Sequence, residues 1–271
     1  MANLTYETLP APPPLDQLVH CFWFLRGTGD GMAQPVVPDG RAEIVLHLGE
    51  PFRAVTGGAP SRQATAMVSG QLTRPLTLLP SADVDVVGIR LRTASARAVL
   101  AVSQDELTDQ VVDLPSVAPA LARRVFAAAR AHRSSSRRAA AIVRALTDLV
   151  AASPSPVARG TAWALAAPIA PDLRRLARSL GVTTRTLERR CRTEIGVAPA
   201  TLRRLARFRR AFPRLERTPV GGWARVAAES GYYDQPHMIR DFKEFAGAAP
   251  GAFFGRGAEL AGAFLSESLS R

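Results

Sequence analysis

Along the first 115 residues, apolar side chains come in short dense runs separated by turn formers. Residues 21–25, 43–48, 67–69, 76–79 and 84–91 are such runs, and Pro38-Asp39-Gly40, Gly57-Gly58 and Pro80-Ser81 stand between them. Apolar runs of this length, punctuated in this way, predict strands, and several at such spacing predict a cupin-like β-barrel or sandwich. Residues 118–152 change to Ala-, Arg- and Leu-rich sequence, which predicts two helices broken near 132–136. Ser153-Pro154-Ser155-Pro156 reads as a short linker, after which the pattern is helical to about Phe254. The expected chain is α+β: a β-rich sensing or dimerisation domain at 1–115, a helical connector at 116–156, an all-α domain at 157–255 and a loose tail at 256–271.

The all-α part contains an internal repeat. Leu187, Arg189, Cys191, Gly196 and Pro199 recur 51 residues later as Met238, Arg240, Phe242, Gly247 and Pro250. Leu187, Cys191 and Ile195 fall at i, i+4 and i+8, and Met238, Phe242 and Phe245 at i, i+4 and i+7, so each set is one apolar stripe on a helix. Gly196 and Gly247, each with a proline soon after, are stop signals. Each of these helices follows another: Leu173, Leu176, Ala177 and Leu180 run up to Gly181, and Trp223, Val226 and Ala227 begin a stripe that stops at Gly231. Thr183 or Thr184 can cap the first following helix, and Asp234 the second, with Pro236 tolerated in the first turn. Helix, glycine turn, capped helix is a helix-turn-helix unit, present twice. A plain helical bundle with solvated arginine faces is the alternative, and repetition of the whole unit with its glycines in step weighs against it.

The segment from about Pro156 to Phe254 resembles the DNA-binding domain of the AraC/XylS family of transcription regulators. The resemblance is carried by Leu187-Glu188-Arg189-Arg190 with Gly196 and Pro199, and by Gly231-Tyr232-Tyr233-Asp234-Gln235-Pro236-His237 with Arg240, Phe242, Gly247 and Pro250. The front resembles the uncharacterised β-rich domain of some such regulators through Pro38-Asp39-Gly40, Gly70, Gly88-Ile89-Arg90 and Leu107-Thr108-Asp109. The resemblance implies two recognition helices, at about 184–195 and 235–246, that enter the major groove and are joined by a long helix. Two positions depart from the expected pattern: Cys191 stands where the family has a large aromatic, and Pro213 should end or kink the connecting helix.

A recognition helix reads bases with the side chains opposite its buried stripe. Arg185, Glu188 and Arg189 occupy that face in the first unit, and Gln235, His237, Ile239 and Arg240 in the second. Arginine can bind guanine in bidentate fashion, glutamine adenine, glutamate the cytosine amino group, and isoleucine a thymine methyl. Glu188 could instead orient Arg185 or Arg192 by an ion pair, and His237 could contact the DNA backbone. Arg174, Arg175 and Arg178 on the supporting helix, with Arg203, Arg204 and Arg207 on the connecting helix, are the expected phosphate contacts.

Charge sharpens this division. The chain carries a net +12, but residues 1–115 hold 8 basic and 12 acidic side chains, whereas residues 157–255 hold 18 and 8. A near-acidic front and a strongly basic back place the polyanion at the back only. Of the 35 basic residues 34 are arginine, a bias that can explain Arg over Lys but not its location.

The front offers less chemistry. Phe22, Trp23 and Phe24 could line an effector pocket or form a strand core, and Arg90 and Arg92 could bind an anionic effector or face solvent. Asp39 and Arg41 flank Gly40 in a turn. His20 and His47 lie in separate strands and are the two of the chain's four histidines that fall in the front half, a weak signal for a metal centre needing about three converging His or carboxylate ligands. The sequence therefore predicts no enzyme, no cofactor and no catalytic or metal residues. Cys21 and Cys191 form no disulfide framework, and no run reaches the ~18 apolar residues of a membrane span, so a cytoplasmic protein is expected. Expected partners are double-stranded DNA, RNA polymerase, an unidentified small-molecule effector and a second copy of the chain, and no membrane. The alternatives left open are a metal enzyme on the β-domain with DNA binding attached, and a nonspecific architectural DNA binder.

Overall fold

A computed structural model describes residues 3–56, 58–149, 152–167, 170–255 and 261–262. Among them the front of the chain supplies β1 (Asn3–Pro10), β2 (Val19–Thr28), β3 (Gln34–Val36), β4 (Glu43–His47), β5 (Arg53–Thr56), β6 (Ala59–Arg62), β7 (Ala66–Ser69), β8 (Leu76–Leu79), β9 (Val84–Leu91) and β10 (Val111–Asp113). These form two antiparallel sheets, one in the order β1-β2-β9-β4-β7-β10 and a smaller one in the order β3-β8-β5-β6.

Side chains alternate across a strand, and here both faces of the larger sheet are covered. Phe22, Phe24, Ile44, Leu46, Val87 and Ile89 point one way, into a core closed by helices. Trp23, Leu25, Val45, Val84 and Val86 point the other way, towards Phe52 and Leu78 of the smaller sheet. That double burial is why β2 and β9 read as unbroken apolar runs rather than as alternating ones. Trp23 pairs across the ladder with Gly88, where an added Cβ would meet the indole ring at 1.8 Å, so the ring needs the bare backbone beneath it.

The helices that close the first core come next: α1 (Ala96–Leu100), α2 (Leu114–Val117), α3 (Pro119–Arg130) and α4 (Ser135–Thr147). The expected break at 132–136 is present, with Ser134 capping α4 by accepting from the Arg137 N–H. Leu121, Val125 and Ala129 of α3, with Ala139, Ile142 and Leu146 of α4, lie against Phe22, Phe24 and Leu46. The connector helices are thus part of the front's own core. Arg138, buried on α4, fastens them to β9 through two hydrogen bonds to Asp85, 2.5 and 2.7 Å long. Burial alone would raise the Asp85 carboxyl, but Arg138, helped by Arg26, holds it below the usual carboxylate range.

The back half is helical: α5 (Pro156–Ala166), α6 (Leu173–Ser179), α7 (Thr184–Ile195), α8 (Pro199–Arg217), α9 (Trp223–Glu229), α10 (Gln235–Ala246) and α11 (Pro250–Phe254). Pro156, the last residue of the expected linker, is already helical, because Ser155 accepts from the Ala158 N–H and starts α5 there. Pro213 does not end α8, which continues to Arg217. Loss of the N–H that would bond the Arg209 carbonyl costs about 3 kcal/mol in an isolated helix. The neighbours Phe212 and Leu215 are locked in a buried aromatic cluster, which holds the helix through that defect. Gly57 and most of the expected tail at 256–271 lie outside the described residues; Ala261 is buried against the same cluster.

The two halves touch directly. The Thr108 hydroxyl donates to the Gly196 carbonyl at 2.6 Å, Arg209 donates to the Asp39 carbonyl at 3.3 Å, and Val37 enters the aromatic core of the back half.

Two histidines, one buried and one half-buried, give the front a pH signature. His47 is 1% exposed, with Nε2 3.2 Å from Gln63 Oε1, and burial pushes its pKa from 6.5 down to about 4. Burial, with Arg41, Arg90 and Arg92 nearby, pushes His20 to about 3. Both are neutral in the folded chain and take up a proton near pH 6.5 once unfolded. Their contribution to stability is therefore complete above pH 6.5 and is lost as the pH falls towards 4 and 3, at up to about 1.4 kcal/mol per pH unit for a buried group such as His47. Urea denaturation of wild type and His47→Gln at pH 7.5, 6, 5 and 4.5 checks this: the variant loses less stability on acidification. Equal slopes in the two proteins would remove His47 from the account.

Candidate nucleic-acid interface

The repeat read from the sequence is a repeat of structure. α7 and α10 have the same length and lie 51 residues apart, and α8 and α11 each begin at the proline of the repeat. Each is preceded by a short helix and a sharp turn at a glycine with positive φ, 67° at Gly181 and 84° at Gly231, where a side chain would be strained. The turns share a hydrogen bond as well: Val182 N–H to Ala177 O at 3.0 Å and Tyr232 N–H to Ala227 O at 2.9 Å. Thr183 caps α7 by accepting from the Thr186 N–H, and Asp234 caps α10 by accepting from the His237 N–H at 2.7 Å.

Beneath these helices the two units are filled differently. Leu187, Cys191 and Ile195 pack on Leu176, Ala177 and Leu202 in a small aliphatic core. Met238, Phe242 and Phe245 pack on Phe208, Phe212, Trp223 and Phe253 in an aromatic one. Burial pushes the Cys191 thiol up to about 12, so it behaves as an apolar side chain.

The outward faces differ too. Arg185 and Arg189 are exposed and Glu188 is half-buried. Glu188 pairs with neither Arg185 nor Arg192, and makes no ion pair among the described residues. On α10, Arg240 is exposed and Gln235, His237 and Ile239 are half-buried. The His237 ring turns inward, edge-on to Tyr232 with centroids 5.2 Å apart and with Nε2 3.4 Å from Arg207. Ile239 leans on the aromatic core.

Of the six expected phosphate contacts, Arg174, Arg175 and Arg178 are exposed on α6. Arg203, Arg204 and Arg207 are half-buried and have protein partners. Arg203 donates to the Pro171 carbonyl at 2.5 Å. Arg204 pairs with buried Asp241 at 2.8 Å and with Glu244, and lies over the Phe245 ring. Arg207 stands 3.5 Å from Asp241 and over the Tyr232 ring. Hydrogen bonds from Arg204 lower the Glu244 carboxyl, the mark of an ion pair rather than of a vacant contact. Arg204 and Arg207 hold the second unit to the spacer helix because the connecting helix presents that face to Asp241, a buried acid that sequence reading passed over. Glu194 is the counterpart in the first unit: buried, it accepts from Ser155 and Arg190 and ties α7 to the start of α5.

In the front half the five effector candidates separate. Trp23 and Arg90 line a narrow cavity of about 80 Å³ between the sheets. Phe22 and Phe24 face the helices instead, as their alternation with Trp23 requires. Arg92 is exposed and borders a groove between the two halves. The cavity gains Asp39, Arg41, Glu43, His47 and Gln63. Glu43 and Arg90 are cross-strand partners and form an ion pair, with Asp39 3.5 Å from the same guanidinium. Burial disfavours the charge on Arg90, but the two carboxylates outweigh it and hold the group protonated. Only the strand register brings Glu43 to Arg90, and a single sequence does not give that register. Among the described residues no group of three or more His, Cys, Asp or Glu is placed to hold a metal, and no helix is long and apolar enough to cross a membrane.

Two family models match separate parts of the chain. Residues 176–256 match a family described as a helix-turn-helix domain, and residues 7–113 match a domain of unknown function (DUF6597). No curated protein matches the chain in sequence. Among solved structures, the DNA-binding domain of AdpA in complex with a target DNA is similar at 27% identity, covering 38% of this chain and 92% of that one, with a TM-score of 0.34. An AraC-type regulator from Chromobacterium violaceum is similar at 21% identity, over 38% of this chain and 94% of that one, TM-score 0.34. ToxT from Vibrio cholerae is similar at 7% identity over 94% of this chain and 98% of that one, TM-score 0.49.

Proposed function

Because the C-terminal region is an AraC-type helix-turn-helix domain behind a β-rich front, we propose that this chain is a sequence-specific transcription regulator that answers to a small molecule. The observation that carries the reading is the pair of capped helices α7 and α10, in step by 51 residues, each with its apolar stripe buried and arginines exposed opposite. Both helices enter adjacent major grooves, about one DNA turn or 34 Å apart, with α8 as spacer. Arg185, Arg189 and Arg240 read guanine, Gln235 adenine and Glu188 cytosine, while Ile239 meets a thymine methyl at the rim. Arg174, Arg175 and Arg178 position the domain on phosphates. His237 acts through Arg207 and Tyr232, shaping the entry of α10.

The effector site of this reading is the cavity between the sheets. His47 Nδ1 and Gln63 Nε2 are buried there without a hydrogen-bond partner among the described residues. Neutral histidine offers an acceptor and glutamine a donor. Those groups lie among Trp23, Phe52, Met67 and Leu78, while the charges of Arg90 and Glu43 in the same lining pair with each other, so the cavity suits a small, largely apolar molecule with one neutral polar group. RNA polymerase and a second copy of the chain complete the proposed partners.

Operator fragments selected by the purified protein from its source genome, set against random duplex, test base reading. Arg189→Ala and Arg240→Ala should each lose roughly 10- to 100-fold on the operator, with little change on random DNA. Arg174→Ala should weaken both alike. Uniform weakening by all three variants would return the chain to the architectural class.

A further inference from the structure

Where the two halves meet, a groove of about 590 Å³ is lined by Arg41 and Arg92 from the front and by Arg159, Arg209 and Arg210 from the back. No carboxylate is among its lining residues, in a chain with 23 acidic side chains. Trp163, one turn beyond Arg159 on α5, stands at the rim 81% exposed.

The charges in this groove are poorly compensated. Arg92 donates to the Asp16 carbonyl, Arg209 to the Asp39 carbonyl at 3.3 Å, and Arg210 to the Ala166 carbonyl at 2.8 Å and the Ser230 carbonyl at 3.1 Å. A backbone carbonyl satisfies a donor without cancelling its charge. Arg159 makes no ion pair among the described residues, and Arg209 Nε is buried with no hydrogen-bond partner among them. Asp39 is the nearby carboxylate, and its charge is shared among Arg41, Arg90 and Arg209. Even so, burial pushes Arg41 down to about 10, with Arg209 and Arg90 adding to that, and burial lowers Arg209 and Arg210 as well. Guanidiniums that repel one another across a concavity gain most from a multivalent oxyanion, which each can grip in bidentate fashion.

We propose that this junctional groove is a binding site for a small phosphate monoester on a flat ring, the phosphate held by arginines of both halves and the ring laid on Trp163. The volume suits a mononucleotide-sized molecule, and an indole face accepts a planar ring. The site adjoins the cavity between the sheets, with Arg41 lining both, and the proposal does not depend on base reading by α7 and α10. Because the phosphate bridges the front and the back, its binding clamps the two halves together and stabilises the docked chain.

The test uses the full chain, with adenosine 5′-monophosphate, adenosine and inorganic phosphate as probes at constant ionic strength. Calorimetry should give saturable binding of the monophosphate, weaker binding of inorganic phosphate and none of adenosine, with a rise of several degrees in Tm for the first. Arg92→Ala and Arg159→Ala, both at exposed positions, should each weaken the monophosphate about tenfold or more. Trp163→Ala should weaken it while leaving inorganic phosphate unchanged. Absence of saturable binding by either phosphate overturns the proposal, as does monophosphate binding that survives both arginine substitutions. If those substitutions instead weaken operator and random DNA as Arg174→Ala does, the groove is a DNA-backbone contact and the proposal fails.

Discussion

Phe208→Ala is expected to cost about 3–5 kcal/mol and to remove the second helix-turn-helix unit from DNA binding before it disturbs the first. Phe208 is fully buried, with ring centroids 5.8 Å from Phe212, 5.4 Å from Phe242 and 5.3 Å from Phe245. Truncation there removes a ring from a closed aromatic cluster whose other members sit on helices and cannot collapse freely into the space. The damage is local because the first unit has its own core around Leu187, Cys191 and Ile195, to which Phe208 does not belong. Urea denaturation followed by circular dichroism, beside operator binding, checks both halves of the claim. A loss below about 1 kcal/mol, typical of an average substitution, would mean that the cluster is far looser than its ring distances indicate. The residue at the repeat position of Phe242 is Cys191, so Cys191→Ala is the matched control on the first unit.

Affinity for duplex DNA is expected to fall about 40-fold between 50 and 200 mM salt, with a slope of log K against log salt of about −3. The figure follows from the three guanidiniums assigned to phosphates, Arg174, Arg175 and Arg178, which are exposed on α6. Were Arg203, Arg204 and Arg207 free to meet phosphates too, the same relation gives a slope of about −5 and a fall of about 10³-fold. Their protein partners decide between the two values, and a salt titration on operator and random duplex reads the difference. A slope as steep as the second value would mean that the ion pairs of Arg204 and Arg207 with Asp241 open when DNA binds.

The helical half was legible because its signals are local. A twelve-residue stripe, a capping Thr183 or Asp234 and a glycine at the turn all act within a few positions of one another, so α7 and α10 fall where the repeat puts them. Strands 76–79 and 84–91 were legible for the same reason, being apolar runs bounded by turns. β3 and β6 were not, since Pro35 and Pro60 stand inside them; both are edge strands of the smaller sheet, where a missing donor breaks no central ladder. β1 was hidden by Thr5, Glu7 and Thr8, polar because it too is an edge.

What sequence could not supply was pairing at a distance. Glu43 meets Arg90 only through strand register, and Asp241 meets Arg204 only through the approach of α10 to α8. The arginines of α8 read as a DNA-facing stripe because a sequence does not show their protein partners, Pro171 for Arg203 and Asp241 for Arg204 and Arg207. Pro213 was misleading in the same way: a local rule ends the helix there, and the aromatic cluster overrules it.

α8 carries a burden that reaches past either unit. Its length fixes how far apart the two reading helices stand, and the same rod bears Arg209 against the turn at Asp39, while Val37 from the front nests among its phenylalanines. Excising the back half for biochemistry, by cutting the chain near Pro156, would leave a raw flank with a stranded guanidinium and an uncovered apolar seat, so such a fragment would be stickier and less faithful than the intact molecule.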